Sequence, residues 1–164
     1  MIPRGGKGFW LPPGGVSRLL VRSENTVQQS IANDGAYHTV IFQTETLDVL
    51  GEYDPATGIY TAQNDGVYIV AYRIGSQNIN LANTYWRTLI SINDMNTAGN
   101  CFMYIADTLN QVYAVSQSGK SGGCATVPLV VGDNVRIKAA NNYNSARFTK
   151  GTKQLGYFDI ARLI

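Results

Sequence analysis

Short runs of β-branched and aromatic residues, each closed by a cluster of turn residues, leave this chain few ways to fold. The runs are VIF (40–42), GVYIVAYRI (66–74), YWRTLISI (85–92), CFMYI (101–105), QVYAV (111–115), CATVPLVV (124–131), NVRIKAA (134–140) and YFDIARLI (157–164). Between them lie NDG (33–35), DPATG (54–58), QNDG (63–66), SGKSGG (118–123) and VGDN (131–134). Asn, Asp and Gly accept positive φ and Pro presets φ, so each cluster is a place where the chain reverses. About ten short strands at this spacing predict an all-β fold, a sandwich or a jelly roll. Only DTLNQVYAV (107–115) has room for a turn or two of helix. No segment sustains a helical period for long, which argues against a parallel α/β fold.

One run carries more information than the rest. Along 67–74 one face bears Tyr68, Val70, Tyr72 and Ile74, and the other bears Val67, Ile69 and Ala71 before Arg73. A strand with one face in water alternates apolar and polar residues, and this one does not. It is expected to be covered twice, once by the opposite sheet and once by another subunit. Val67, Ile69 and Ala71 are therefore the predicted subunit interface. Charged residues make up only 15% of the chain, well under the usual quarter, which agrees with a surface partly covered by a partner.

Residues 1–17 read as an arm ahead of a domain at 18–164. Pro3, Pro12 and Pro13 with five glycines block helix and strand ladders there. Residues 1–22 hold Arg4, Lys7, Arg18 and Arg22 and no acid, whereas 23–164 hold nine basic and eleven acidic side chains. A basic arm on a slightly acidic body is expected to dock on an acidic surface, its own or a partner's. Phe9, Trp10 and Leu11 are costly to leave in water, so Arg4, Lys7, Phe9, Trp10 and Leu11 are the predicted anchor. The start, MIPRGGKGFWLPPGG, has no apolar h-region and does not read as a secretory signal. No stretch has the apolar length of a membrane span. Cys101 and Cys124 sit beside apolar residues and are expected as buried thiols, although their spacing is also compatible with a bridge.

Phe42, Asp48, Tyr53, Tyr60, Gly66, Tyr68, Val70 and Tyr72 stand in a fixed register. That register resembles the signature of the C1q globular-head family: Phe, an Asn or Asp six on, an aromatic five on, a Phe seven on, then Gly-x-Tyr-x-Phe-x-aromatic. Tyr60 stands where Phe is usual, and Val70 replaces another Phe. YDPATGIYTAQNDGVY resembles the family's aromatic-Asp-Pro-x-x-Gly segment, and LVVGDNV (129–135), with Gly132 and Asp133, resembles its Leu-x-x-Gly-Asp-x-Val turn. SIND (91–94) resembles its Asn-Gly turn. Gly66 is expected to permit the turn that opens its strand, and Asp133 after Gly132 to form a tight hairpin. The resemblance covers about residues 19–164 and implies an all-β, antiparallel ten-stranded jelly-roll sandwich of the C1q/tumour-necrosis-factor type, three copies of which form a compact trimer around a three-fold axis. The ending GYFDIARLI and the opening SENTVQQSIANDGAYHTVIFQTETLD are similar to versions found in phage and bacterial structural proteins. That implies a non-enzymatic virion component (a capsid decoration protein, head fibre or tail-fibre head) held to a capsid or tail protein by the arm. The alternative is a carbohydrate- or receptor-binding adhesin head, at the cell surface or outside the cell.

Catalytic chemistry finds little support in the residues. His38 is the sole histidine, too few for a jelly-roll metalloenzyme, and no Gly-x-Ser-x-Gly elbow exists. GKSGG (119–123) lacks phosphate-loop spacing and reads as a hairpin loop. Asp48, Glu52 and Asp54 are the carboxylates a polysaccharide-cleaving enzyme would need, and they read better as solvated loop acids. No metal ligand set and no cofactor is expected. Arg147, Lys150 and Lys153 form a basic loop open to an anionic glycan or a neighbouring protein. No basic stripe runs through the body, so nucleic acid is not an expected partner.

Overall fold

The computed structural model describes residues 18–76, 85–94, 106–109, 120–142, 146–151 and 156–163. Thirteen strands occur among them and no helix. They are β1 (Arg18–Glu24), β2 (Ser30–Ile31), β3 (His38–Thr39), β4 (Thr44–Asp48), β5 (Tyr53–Asp54), β6 (Ile59–Thr61), β7 (Gly66–Gly75), β8 (Tyr85–Ile92), β9 (Ala106–Leu109), β10 (Lys120–Leu129), β11 (Asn134–Asn141), β12 (Arg147–Phe148) and β13 (Tyr157–Leu163). One sheet runs β10-β7-β13-β1-β4, and a second runs β5-β6-β11-β8-β9 with β3 attached to β11. Every pairing is antiparallel. The count exceeds ten because four two-residue strands, among them β2 and β12, are too short to show a period in sequence.

The core lies between the two sheets. Tyr68, Val70, Tyr72 and Ile74 of β7, Phe158 and Ile160 of β13, and Val127 of β10 meet Trp86 and Ile90 of β8, Val135 and Ile137 of β11 and Tyr60 of β6 in one buried cluster. Polar tips in this core find partners across the gap. Tyr72 and Thr88 share a hydrogen bond of 2.9 Å, and the Trp86 indole N–H donates to Ser121 Oγ at 3.1 Å. Tyr60 meets Tyr68 edge-on at 6.2 Å, and Phe42 stacks on Phe158 at 5.7 Å. Aromatic pairs in such geometries add to what burial alone contributes.

Several expectations need correction. VIF (40–42) is buried at Val40 and Phe42 but forms no regular strand. Residues 107–109 belong to a strand, β9, not to a helical turn; residues 110–115 lie outside the described ones. The SGKSGG stretch is not a loop from Lys120 onward. Lys120–Gly123 open β10 and pair with Gly75–Tyr72 of β7. A Cβ on Gly122 would stand 2.5 Å from the Tyr72 carbonyl oxygen, so glycine is there because two backbones approach closely. The Gly132–Asp133 turn is no hairpin, since β10 and β11 belong to different sheets. It is a crossover, tied by Gly132 N–H to Ala62 O and Ala62 N–H to Asp133 O. Gly66 has no positive φ; a Cβ there would meet Arg162 Nε at 2.7 Å, so it gives room to a neighbour's side chain. The SIND turn is as expected, with Asn93 and Asp94 both at positive φ, the requirement of a type I′ turn.

Candidate functional site

The outer face of the five-stranded sheet is the candidate site. Its inner face is core, and the β7 burial pattern alternates accordingly, with Val67 42% exposed and Ile69, Ala71 and Arg73 half-buried. Strand register sets their neighbours. Val67 lies between Pro128 and Leu163, Ile69 between Thr126 and Ala161, and Ala71 between Cys124 and Asp159. An apolar band therefore crosses three strands, from Pro128 through Val67 and Ile69 to Ala161 and Leu163. Sequence reading found only the β7 part, because β10 and β13 each carry just one or two apolar residues on this face. The second sheet differs. Leu89, Ser91, Lys138 and Ala140, on the side of β8 and β11 away from the core, are already buried. On the first sheet's face Val67, Cys124, Thr126 and Pro128 are exposed.

Charged groups border the band. Arg22 Nε and Nη2 donate to the two Asp159 oxygens at 2.9 and 2.7 Å, and this fork holds the Arg22 guanidinium above its ordinary pKa. Leu47 of β4, 37% exposed, lies in register beside Arg22. Next to the band, a hollow of 350 Å³ is lined by Arg73, Lys120, Cys124 and Tyr157 among others, over Gly122 and Gly123. Cys124 is exposed on this face, not buried as its apolar neighbours suggested; the β10 alternation puts Ala125 and Val127 inward instead. Cys101 lies outside the described residues.

The signature residues sit in the framework. Phe42, Tyr53, Tyr60, Tyr68 and Tyr72 are all buried. Asp48 is a loop strut: Oδ1 accepts the N–H groups of Leu50, Gly51 and Glu52, and Oδ2 that of Tyr53. Asp54 caps its own turn through Ala56 N–H and Thr57 Oγ1, which hold its carboxyl below the usual range, Thr57 first. Glu52 is buried, not a solvated loop acid: Oε2 accepts from the Tyr60 hydroxyl at 3.0 Å and Oε1 from Gln63 N–H at 3.0 Å. Glu52 and Asp54 both line an open hollow of 390 Å³, but their oxygens are committed to the fold.

The remaining sites are brought together less. His38 is paired with Asp34 at 2.9 Å. Arg147 belongs to β12, which pairs with Ser30–Ile31, so this end of the basic segment is strand and not loop. Lys150 is half-buried and donates its N–H to Gly75 O. Lys153 and the arm residues Arg4, Lys7, Phe9, Trp10 and Leu11 lie outside the described residues. Among the described residues, no three His, Cys, Asp or Glu side chains group to hold a metal ion. No helix there is long and apolar enough to cross a membrane.

Comparison with known proteins agrees with this architecture. The globular domain of zebrafish complement 1qA superposes with a TM-score of 0.61 at 17% identity, over 90% of this chain and 98% of that one. Eiger TNF from S. frugiperda gives 0.64 at 11% identity, over 89% and 93%. Murine APRIL gives 0.63 at 10% identity, over 88% and 98%. At these identities the likeness is one of fold. No curated protein sequence matches the chain. The family model described as C1q domain matches residues 24–158. With its signature residues packed inside two antiparallel sheets, the chain belongs to the C1q domain family.

Proposed function

We propose that three copies of this domain assemble through the outer face of the five-stranded sheet, and that the trimer serves as a non-enzymatic binding or structural head. The observation that carries this reading is the apolar band of Val67, Ile69, Ala71, Pro128, Ala161 and Leu163 on the outer face of that sheet, where Val67 and Pro128 are exposed. A face of that kind gains by burial, at about 25 cal/mol per Å² of apolar surface removed from water. The Arg22–Asp159 pair would border the interface and set its register. Membership of a family of trimeric, generally non-enzymatic modules supports the same reading. The test is Ile69→Arg, which puts an unpaired charge at the centre of the band. The variant is expected to sediment as a folded single chain, and a trimer of unchanged stability would place the interface elsewhere.

The finer reading is a virion surface component, a capsid decoration protein, head fibre or tail-fibre head, attached through residues 1–17. It is supported by the basic Gly/Pro-rich arm ahead of the head and by the similarity of GYFDIARLI to phage and bacterial versions. Removing residues 1–17 is expected to abolish attachment to the particle while the trimer persists. Attachment that survives the deletion would move the reading to a cell-surface glycan- or receptor-binding head.

A further inference from the structure

The outer face of the five-stranded sheet changes character along its strands. The apolar band ends at Ala71, and the next outward residue of β7 is Arg73, about 7 Å further on. Arg73 lies between Tyr157 of β13 and Gly122 of β10. Gly122 contributes no side chain, and Lys120 stands two residues before it on the same strand. The space this leaves is the hollow of 350 Å³ lined by Arg73, Lys120, Cys124 and Tyr157 among others.

The polar groups that converge here are donors. Other arginines of the chain are engaged: Arg22 forks onto Asp159, Arg136 pairs with Asp94, and Arg162 donates to Asp65 O. Among the described residues, no hydrogen bond or ion pair holds the half-buried Arg73 guanidinium, and no hydrogen bond holds the Tyr157 hydroxyl. The neighbouring acids do not serve them. Both Asp159 oxygens accept from Arg22. Glu24 lies beyond Tyr157, two strands from Arg73, or about 10 Å at ordinary strand spacing. Neither acid lines the hollow. Two cations and a hydroxyl facing one space without a carboxylate make a set that an oxyanion satisfies and a neutral or cationic ligand does not.

We infer that this hollow binds the oxyanion of a small acidic ligand of monosaccharide size, a sugar acid. Arg73 forks onto the oxyanion, Lys120 adds a second charge from the exposed rim, and Tyr157 donates its hydroxyl. The volume lies at the small end of the range for ligand pockets and exceeds what a bare ion fills, so the oxyanion is carried on a larger body. All these groups belong to one chain, and binding does not require trimerisation.

The melting temperature of the full chain, followed against sodium glucuronate and sodium sulfate with chloride holding the ionic strength constant, tests this. A ligand that binds the folded state raises it in a saturable way. Glucuronate is expected to do so, and sulfate to act at the same place with lower affinity. Arg73→Gln is expected to weaken both by about tenfold or more, the worth of a charge-assisted hydrogen bond. Lys120→Gln, at an exposed position where folding is not at stake, is expected to weaken both as well, by less. Light scattering on the same samples reads the mass, which separates loss of binding from a change of assembly. A sulfate affinity equal to that of glucuronate would overturn the sugar acid in favour of a bare ion. The absence of any saturable rise with either anion would overturn the site, as would a rise that both substitutions leave unchanged.

Discussion

The Tyr60 hydroxyl donates to Glu52 Oε2 at 3.0 Å, with both side chains buried. Burial, and then the Glu52 charge, push the Tyr60 ionisation far above its ordinary value, so the pair stays a neutral donor facing an acceptor. Glu52→Ala would strand this hydroxyl and the Gln63 N–H, at a cost of roughly 2–4 kcal/mol. Glu52→Gln, which keeps one acceptor oxygen for the Gln63 N–H and turns an amide donor toward a hydroxyl able to accept it, should cost less. Urea unfolding measures both. An alanine variant as stable as the parent would remove the structural role and reopen a chemical one.

Gly122 and Tyr72 define a second such relationship. A methyl group on Gly122 would meet the Tyr72 carbonyl oxygen at 2.5 Å and Arg73 Cα at 3.1 Å, both backbone atoms of the paired strand. Neither can move without opening the β7–β10 ladder. Gly122→Ala is expected to cost about 1–3 kcal/mol by overpacking and to lower the melting temperature by several degrees. An unchanged melting curve would show that the ladder is looser here than its register implies.

Much of this architecture was legible in residue order, and what was not has physical causes. β7, β8, β11 and β13 follow the apolar runs closely, because strands packed on a core need continuous β-branched and aromatic residues. β4 has no such run: TETLD holds a single apolar residue, Leu47, is exposed or half-buried throughout, and is held by pairing with β1. Glycines misled twice. GKSGG looked like a loop, although Gly122 marks a close approach inside a strand, and Gly132 looked like a hairpin residue, although it carries the chain from one sheet to the other. Glu52 could not be told from a solvated acid, because its partners Tyr60 and Gln63 are set by the β5–β6 reversal. Cys124 looked buried from its neighbours, yet strand alternation turned it outward.

Tyr53 gives the fold a dependence on alkaline pH. Its hydroxyl donates to Phe42 O at 3.2 Å and accepts from Phe42 N–H at 3.1 Å. Burial, the main cause, pushes its pKa from 10.0 up to about 12. The unfolded chain loses this proton first as pH rises, so the contribution is complete below pH 10 and is lost between about pH 10 and 12, roughly 2–3 kcal/mol in all. Tyr53→Phe is expected to be less stable at neutral pH and to lose stability less steeply over that window. Tyr60, also raised by burial, keeps part of the slope. Denaturant midpoints between pH 9 and 12 provide the check, and identical slopes in the two chains would contradict the assignment.

The assembly proposed for this domain turns on whether the outer face of the five-stranded sheet is covered by copies of itself. The mass of the native chain in solution, by light scattering after size exclusion, measures this directly. Three chain masses are expected, both for the full sequence and for a chain beginning at Ser17. A single chain mass for both would contradict the trimer and leave the Val67–Ile69–Ala71 band to a different partner.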